Sequence, residues 1–280
     1  MSSIKFETGF LNPQEWLKES EIQLTSSKLL REIGKKKFNQ FKKIKSFEDQ
    51  GSSSLKYNKM KLIGEKESAY KCSLLLMGYA IELALKAGVV KFYRNIPRHL
   101  AEKNLKRGYS HKLDLMAEDL GIDLLEREIE LLNLLIDFIL EKARYPIVAS
   151  DKDAFIIKWN ENQRNLQSDT LYSEFSSLHK KIMAFTKLAD RTSENPVTFG
   201  TFIIDNDGYL SFRFGGNLPT RITFKYSEDQ VRNKENSIES LKELLSLNSD
   251  YHPYFNILIQ NWLDIDFFEH TKKGNLQKRT

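Results

Sequence analysis

The chain has 280 residues, 40% hydrophobic and 11% aromatic, which is enough for a real core and excludes wholesale disorder. Its 43 Lys and Arg against 38 Asp and Glu leave +5, a mild excess compatible with nucleic acid but not diagnostic of it. The single cysteine, Cys72, excludes an internal disulfide framework and a thiolate zinc cluster, so a reduced, cytoplasmic protein is expected.

The opening Met1-Ser2-Ser3-Ile4-Lys5-Phe6-Glu7 lacks the basic-then-apolar order of a signal peptide. Asn12-Pro13-Gln14-Glu15 reads as a helix start, with Asn as cap, Pro in the first turn and an acid near the positive end of the dipole. This helix is expected to run to about Arg31, burying Trp16, Leu17, Leu24 and Leu30, and to stop at Gly34. A basic run follows, containing Lys35, Lys36, Lys37, Phe38, Phe41, Lys42, Lys43 and Lys45, then a flexible connector, Gln50-Gly51-Ser52-Ser53-Ser54.

The second helix is expected over 65–93. Ala69, Leu75, Leu76, Tyr79, Ala80, Leu83, Ala87 and Val90 recur at helical spacing on a broad apolar face. The stretch 72–90 has the look of a membrane span. Glu82 and Lys86 interrupt its middle, where each is expensive in lipid, so a buried helix is the better reading and no membrane is expected. A polar segment spans 95–108. Ser110 is read as the cap of a third helix carrying Leu113, Leu115, Met116 and Leu120, with Gly121 as its stop.

A fourth helix, 124–144, is dense in apolar residues, and its polar residues Asn133, Asp137, Glu141 and Arg144 line one stripe until Pro146 ends it. A turn or two is expected over 151–159. A fifth helix over 169–187 places Leu171, Phe175, Leu178, Ile182 and Phe185 at alternating spacings of four and three. Beyond Pro196 the pattern becomes extended. Strands on either side of Asp205-Asn206-Asp207-Gly208, and a third from Arg221 to Tyr226, read as a three-stranded antiparallel meander too small to stand alone. Two helices, 237–247 and 253–268, and a polar tail close the chain.

No His or Cys pair has metal-ligand spacing, and neither a HExxH helix, a phosphate-cradling glycine loop nor a Gly-x-Ser-x-Gly elbow is present; no metal or cofactor is expected. Glu82 and Lys86, one helical turn apart, read as a structural ion pair. If Glu82 is partly buried, a cation from another helix would join it, with His111 and Arg144 as candidates; a catalytic or ligand role for Glu82 is the other reading. The basic run has no acids and two interleaved aromatics, the composition that binds single-stranded nucleic acid. It also reads as a solvated helix end with Phe38 and Phe41 anchored in the core. Arg107 and His111 stand just before a helix, where a mobile loop carrying a helix-start histidine is equally a reading.

Taken in order, Gly78-Tyr79-Ala80-Ile81-Glu82-Leu83-Ala84-Leu85-Lys86-Ala87, Ser110-His111-Lys112-Leu113-Asp114-Leu115-Met116 and Ala143-Arg144-Tyr145-Pro146 resemble a HEPN domain of the E-x-x-L-K, H-x-L-x-x-L, R-Y-P subgroup, over roughly residues 10–190. The resemblance implies a mainly α protein: an up-and-down helical bundle (1–190, with the basic segment and linker at 34–58) followed by a small α+β appendage (191–280). It also implies a homodimer from a bacterial defence or toxin–antitoxin system. Many HEPN proteins are metal-independent endoribonucleases with an R-x4-6-H motif, whereas others are non-catalytic binding or assembly modules. Here three residues separate Arg107 from His111, and Lys106 stands five before it. On the resemblance, His111 is the acid–base residue and Arg144 the phosphate stabiliser, with Arg107 as second choice. The expected activity is RNA-directed: binding RNA and, where the family's chemistry is kept, cutting it. The alternatives are an interaction subunit holding a protein partner encoded nearby and, more weakly, a small-ligand or nucleotide sensor.

Overall fold

The computed structural model describes residues 9–45, 53–143, 145–250 and 252–279, with the backbone alone for 44, 45 and 53–56. The two longest helices, α1 (Pro13–Lys45) and α2 (Ser53–Val90), form an antiparallel hairpin. Asn12 Oδ1 accepts from the Gln14 N–H, so the first turn is capped. α1 presents a seam at alternating spacings of three and four: Leu17, Ser20, Leu24, Ser27, Arg31, Gly34, Phe38 and Phe41. Small residues recur every seventh position in it and let α2 come close. Ser27 Oγ donates to Ser73 O (2.7 Å) and Ser73 Oγ to Ser27 O (2.8 Å).

Gly34 therefore does not stop α1, contrary to the sequence expectation. A Cβ on Gly34 would lie 3.1 Å from the Tyr70 ring, so its bare Cα gives that ring on α2 room against α1. The basic run is the last three turns of α1, and α2 starts twelve residues earlier than expected. Of the expected connector, residues 50–52 lie outside the described residues, and Ser53 and Ser54 open α2. α2 is long and apolar enough to span a membrane, but 72% of its apolar window is buried inside the molecule. It is a core helix.

The segment expected to be a polar loop is helical: α3 (Arg98–Lys103) runs into a π-helical turn, Asn104–Tyr109. Ser110 caps nothing. Its backbone is at φ 43°, and α4 (Leu113–Asp119) follows Lys112 without a side-chain cap. α5 (Glu126–Asp137) ends in a second π-helical turn, Phe138–Lys142. α6 (Lys152–Gln167) is sixteen residues long rather than a turn or two, capped by Asp151, whose carboxylate accepts from the Ala154 N–H. α7 (Asp169–Leu188) buries Leu171, Phe175, Leu178 and Ile182 as its spacing predicts. These helices share one core centred on α2, with Met77, Ile81, Leu85, Leu113, Met116, Leu132 and Ile139 all buried.

The C-terminal sheet is larger than the expected meander and is mixed. β1 (Thr198–Ile204), β2 (Gly208–Phe214) and β3 (Thr220–Lys225) are antiparallel neighbours. β4 (Ile265–His270) then pairs parallel with β3, and β5 (Leu276–Arg279) antiparallel with β4. The crossover between β3 and β4 holds α8 (Glu228–Arg232), α9 (Ile238–Leu247) and α10 (Pro253–Gln260). The last helix thus ends eight residues before its expected limit, and the polar tail contains a strand. Ile265 and Phe267 alternate with Asp266 and Phe268, a period of two that is satisfied only once β3 is available as a neighbour.

One face of this sheet builds a second core, in which Leu210, Phe212, Ile222, Phe224 and Phe267 pack on Leu241, Leu245, Phe255 and Leu258. The other face carries Ser211, Arg213, Arg221 and Thr223 and turns toward the bundle, where Ser211 Oγ donates to Arg94 O (3.3 Å).

Candidate functional site

The three residues singled out around α2 come together. Buried Tyr109 and Leu113 flank His111 and pin it to the bundle; the Tyr109 hydroxyl donates to Asp119 Oδ2 (2.6 Å). This fixes the imidazole over α2, where His111 Nδ1 lies 2.8 Å from Glu82 Oε2. The other oxygen, Glu82 Oε1, accepts from Lys86 Nζ at 2.5 Å. The Glu82 side chain is 7% exposed, Lys86 12% and His111 25%, so a buried carboxylate holds a half-open imidazole.

An ionised carboxylate only accepts, so Nδ1 carries the hydrogen and Nε2 is the site at which a neutral ring takes up a proton. Among the described residues none hydrogen-bonds Nε2. The pair is thus an oriented acid–base group, with Lys86 holding the orienting carboxylate from its far side.

The approach to His111 is irregular. The π-helical turn Asn104–Tyr109 leads into Ser110, whose φ of 43° and ψ of −117° lie outside the regions L-residues favour. Such conformations cost about 1–3 kcal/mol and cluster at functional sites. The second π turn, Phe138–Lys142, likewise leads toward position 144. Arg144 itself lies outside the described residues. Arg107 is exposed on the first π turn. A cleft of about 380 Å³ opens beside the R-Y-P segment, lined by Asp137, Glu141, Tyr145, Lys158 and Glu161 among others. His111 is not part of its wall.

The basic run does not join this site. Phe38 and Phe41 face Lys66 on α2, sixteen residues before Glu82, which is about 24 Å along a helix. The rings are covered from within the chain. Lys42 Nζ lies 4.3 Å and Lys66 Nζ 5.6 Å from the Phe38 centroid, and Lys59 Nζ 5.8 Å from that of Phe41. Lys37 pairs with Glu65 at 2.6 Å, and Lys35 with Glu32 and Asp169, both at 3.3 Å. Lys36, Lys42 and Lys43 are exposed; the side chain of Lys45 lies outside the described residues.

The sequence reading passed over several buried polar groups. His179, on α7, contacts Ser20 Oγ through Nε2 at 2.8 Å, while Ser20 Oγ donates to Ala80 O at 2.6 Å. Burial, helped by Lys28, lowers the His179 pKa to about 4. Arg31 is buried between the rings of Tyr70 (4.6 Å) and Tyr172 (4.9 Å) and donates to Leu166 O and Asp169. Its signal was available, since Arg31 sits on the apolar seam of α1 at heptad spacing. Lys91 donates to Thr186 O (2.9 Å) and Ala189 O (2.6 Å) and so closes the C-terminus of α7. Arg213 and Arg221 looked like surface alternation on short strands, and only docking on the bundle buries them.

Among the described residues no three His, Cys, Asp or Glu side chains gather as metal ligands would. No family model, no curated protein and no solved structure matches this chain, so the resemblance to HEPN domains rests on the three motifs and their order.

Proposed function

We propose that this chain is a cytoplasmic, RNA-directed protein with a HEPN-like bundle, acting in a bacterial defence or toxin–antitoxin setting. In this reading His111 is its acid–base residue and Glu82 the residue that orients it. The single observation that supports the reading is the 2.8 Å contact between His111 Nδ1 and the buried Glu82 carboxylate, which leaves Nε2 for a substrate proton.

In RNA cleavage without metal, Nε2 takes the proton of a ribose 2′-OH. That oxygen attacks the adjacent phosphorus, the bond to the 5′-oxygen breaks, and the departing oxygen is protonated, leaving a 2′,3′-cyclic phosphate. Arg107, on the turn ahead of His111, would supply positive charge for the phosphate, as would Arg144. Lys36, Lys42 and Lys43 would act as a separate contact track for the RNA backbone, remote from the dyad along the α1–α2 hairpin. A homodimer would bring two such dyads to one assembly.

The test is cleavage and binding of total bacterial RNA in the presence of a metal chelator. Wild type should give cyclic phosphate ends. His111→Ala should lose about 10²–10⁴-fold in rate, the usual contribution of a positioned acid–base group. Glu82→Gln should lose activity in part and melt lower, because Lys86 is left without its carboxylate. Wild type that neither cuts RNA nor binds it in a salt-sensitive way would sink this reading. A sedimentation mass near 32.7 kDa at micromolar concentration would remove the homodimer.

A second reading, a non-catalytic interaction subunit, is favoured by the exposed apolar side chains on α6 and the segment before it. Val148 is 81% exposed, Ile157 66%, Phe155 44% and Trp159 42%. Retained partner capture in the His111→Ala chain, lost on replacing Ile157 and Trp159 by Ser, would support it.

A further inference from the structure

α1 and α7 lie antiparallel: Glu21 meets Lys187 at 2.7 Å near one end, and Ser27 meets the Tyr172 hydroxyl at 2.9 Å toward the other. An open groove of about 450 Å³ runs between them. Glu21 and Lys28 line it from α1, and Ser173, Ser177, Lys180 and Lys187 line it from α7, with His179 in its floor. The spacings of four, three and seven keep the α7 residues on one stripe, about 21 Å long from Ser173 to Lys187.

The groove's cations outnumber its acids. Glu21 is the one acid in the lining, and Lys187 takes it. Lys28 and Lys180 are exposed and pair with no acid among the described residues. The acids that flank the groove have cations of their own. Glu32, one turn beyond Lys28, has Lys35 at 3.3 Å, and Glu174, next to Ser173, has Arg127 at 2.8 Å.

His179 gives the groove a second kind of group. Its Nε2 faces inward to Ser20, which is 0% exposed and gives its own hydrogen to Ala80 O. Nε2 therefore donates, and Nδ1 is left as an acceptor. Nδ1 has no partner among the described residues, although His179 is only 3% exposed. A buried acceptor without a donor is costly, and a ligand lying in the groove would supply one. Burial is the main force that keeps the ring neutral; Lys28 and Lys187 add to it, and Glu21 opposes them. The groove thus offers cations to anions along its length and an acceptor to a hydroxyl or N–H between them.

A chain that carries a phosphate and a hydroxyl in every unit answers both. We propose that the α1–α7 groove is a seat for single-stranded RNA, with backbone phosphates at Lys28 and Lys180 and a ribose 2′-hydroxyl donating to His179 Nδ1. Ser173 and Ser177 would donate to the same phosphates. DNA brings the anions without that hydroxyl, so the histidine contact selects RNA. This inference rests on the RNA reading above and adds to it a contact that holds the strand without cutting it.

The experiment is equilibrium binding of an oligouridylate of about twelve nucleotides, and of its 2′-deoxy counterpart, over a range of salt. The full chain carrying His111→Ala is the parent, so that the RNA stays whole. The parent should bind RNA about fivefold more tightly than DNA, the worth of one hydrogen bond. Adding His179→Leu should bring the two affinities together. Adding Lys28→Ala and Lys180→Ala should weaken both alike and make the slope of log affinity against log salt shallower by about 1.4. An unchanged slope in the lysine variant would overturn the seat and leave the RNA reading standing, whereas a parent that binds neither oligomer would overturn both. A preference for RNA that survives His179→Leu would overturn the histidine contact. Should that variant not fold, equal affinities of the parent for the two oligomers would overturn it instead. Polyglutamate bound as tightly as RNA, and released by the same lysine substitutions, would overturn the RNA assignment in favour of an acidic peptide.

Discussion

Lowering the pH should unfasten α7 from α1 and α2 through one histidine. His179 is 3% exposed, with its Nε2 against Ser20 Oγ. Ser20 has one hydroxyl hydrogen and gives it to Ala80 O, so Ser20 Oγ can only accept from the ring, and the neutral Nε2–H tautomer is the one that fits. Burial lowers the native pKa to about 4 from the ordinary 6.5. Between those values the unfolded chain binds a proton that the folded chain refuses, so stability is full above the ordinary value and falls as pH drops through this window. The shift corresponds to about 3 kcal/mol in all, of which about 2 kcal/mol is lost between about pH 7.5 and 5.0. Urea melts at both pH values, for wild type and for His179→Gln, isolate the effect as a difference of differences. The glutamine keeps a donor for Ser20 and does not titrate, so the variant should lose about 2 kcal/mol less than wild type over the same interval. Equal losses in the two chains would refute the assignment.

The second core should be as sensitive as the first: Phe224→Ala, at a fully buried position, should cost about 3–5 kcal/mol in a urea melt, and a cost below about 1 kcal/mol would mean the sheet is not packed as described. Gly216 has φ 66°, and a Cβ there would lie 2.6 Å from Asp190 Oδ1. Gly216→Ala should therefore lower stability by about 1–2 kcal/mol or more, read as a lower melting midpoint. Arg31→Met should cost about 1–3 kcal/mol, because the Leu166 carbonyl loses its donor, whereas Asp169→Asn should cost less than about 1 kcal/mol because that carboxylate is 67% exposed. A larger effect of Asp169→Asn than of Arg31→Met would reverse this account.

Local pattern was enough for much of the bundle. The alternating spacing of Leu171, Phe175, Leu178 and Ile182 places α7 because an amphipathic stripe can be buried in only one way once a helix forms. Asn12-Pro13 starts α1, and Asp205 to Gly208 turns β1 into β2, because caps and tight turns are decided by the residues that make them. Glu82 also announced itself. An acid inside an apolar helix must find partners, and Lys86 and His111 are close enough to supply them.

What needed the tertiary structure were the places where the partner is remote in sequence. Gly34 reads as a stop by propensity, yet it lies inside a helix, where the Tyr70 ring of another helix packs against its bare Cα. Residues 265–270 carry enough apolar side chains to extend α10, and they form β4 because β3 offers them an open edge. The lysines from 35 to 45 look like one binding patch. The heptad seam of α1 instead turns Phe38 and Phe41 onto α2, far from His111. Arg213 and Arg221 alternate along their strands as surface residues do, and docking of that sheet face on Phe92 and Tyr93, just beyond α2, turns them into buried charges. In each case the chain specifies the local conformation at short range, while burial depends on which surfaces meet, and no window of sequence contains both surfaces.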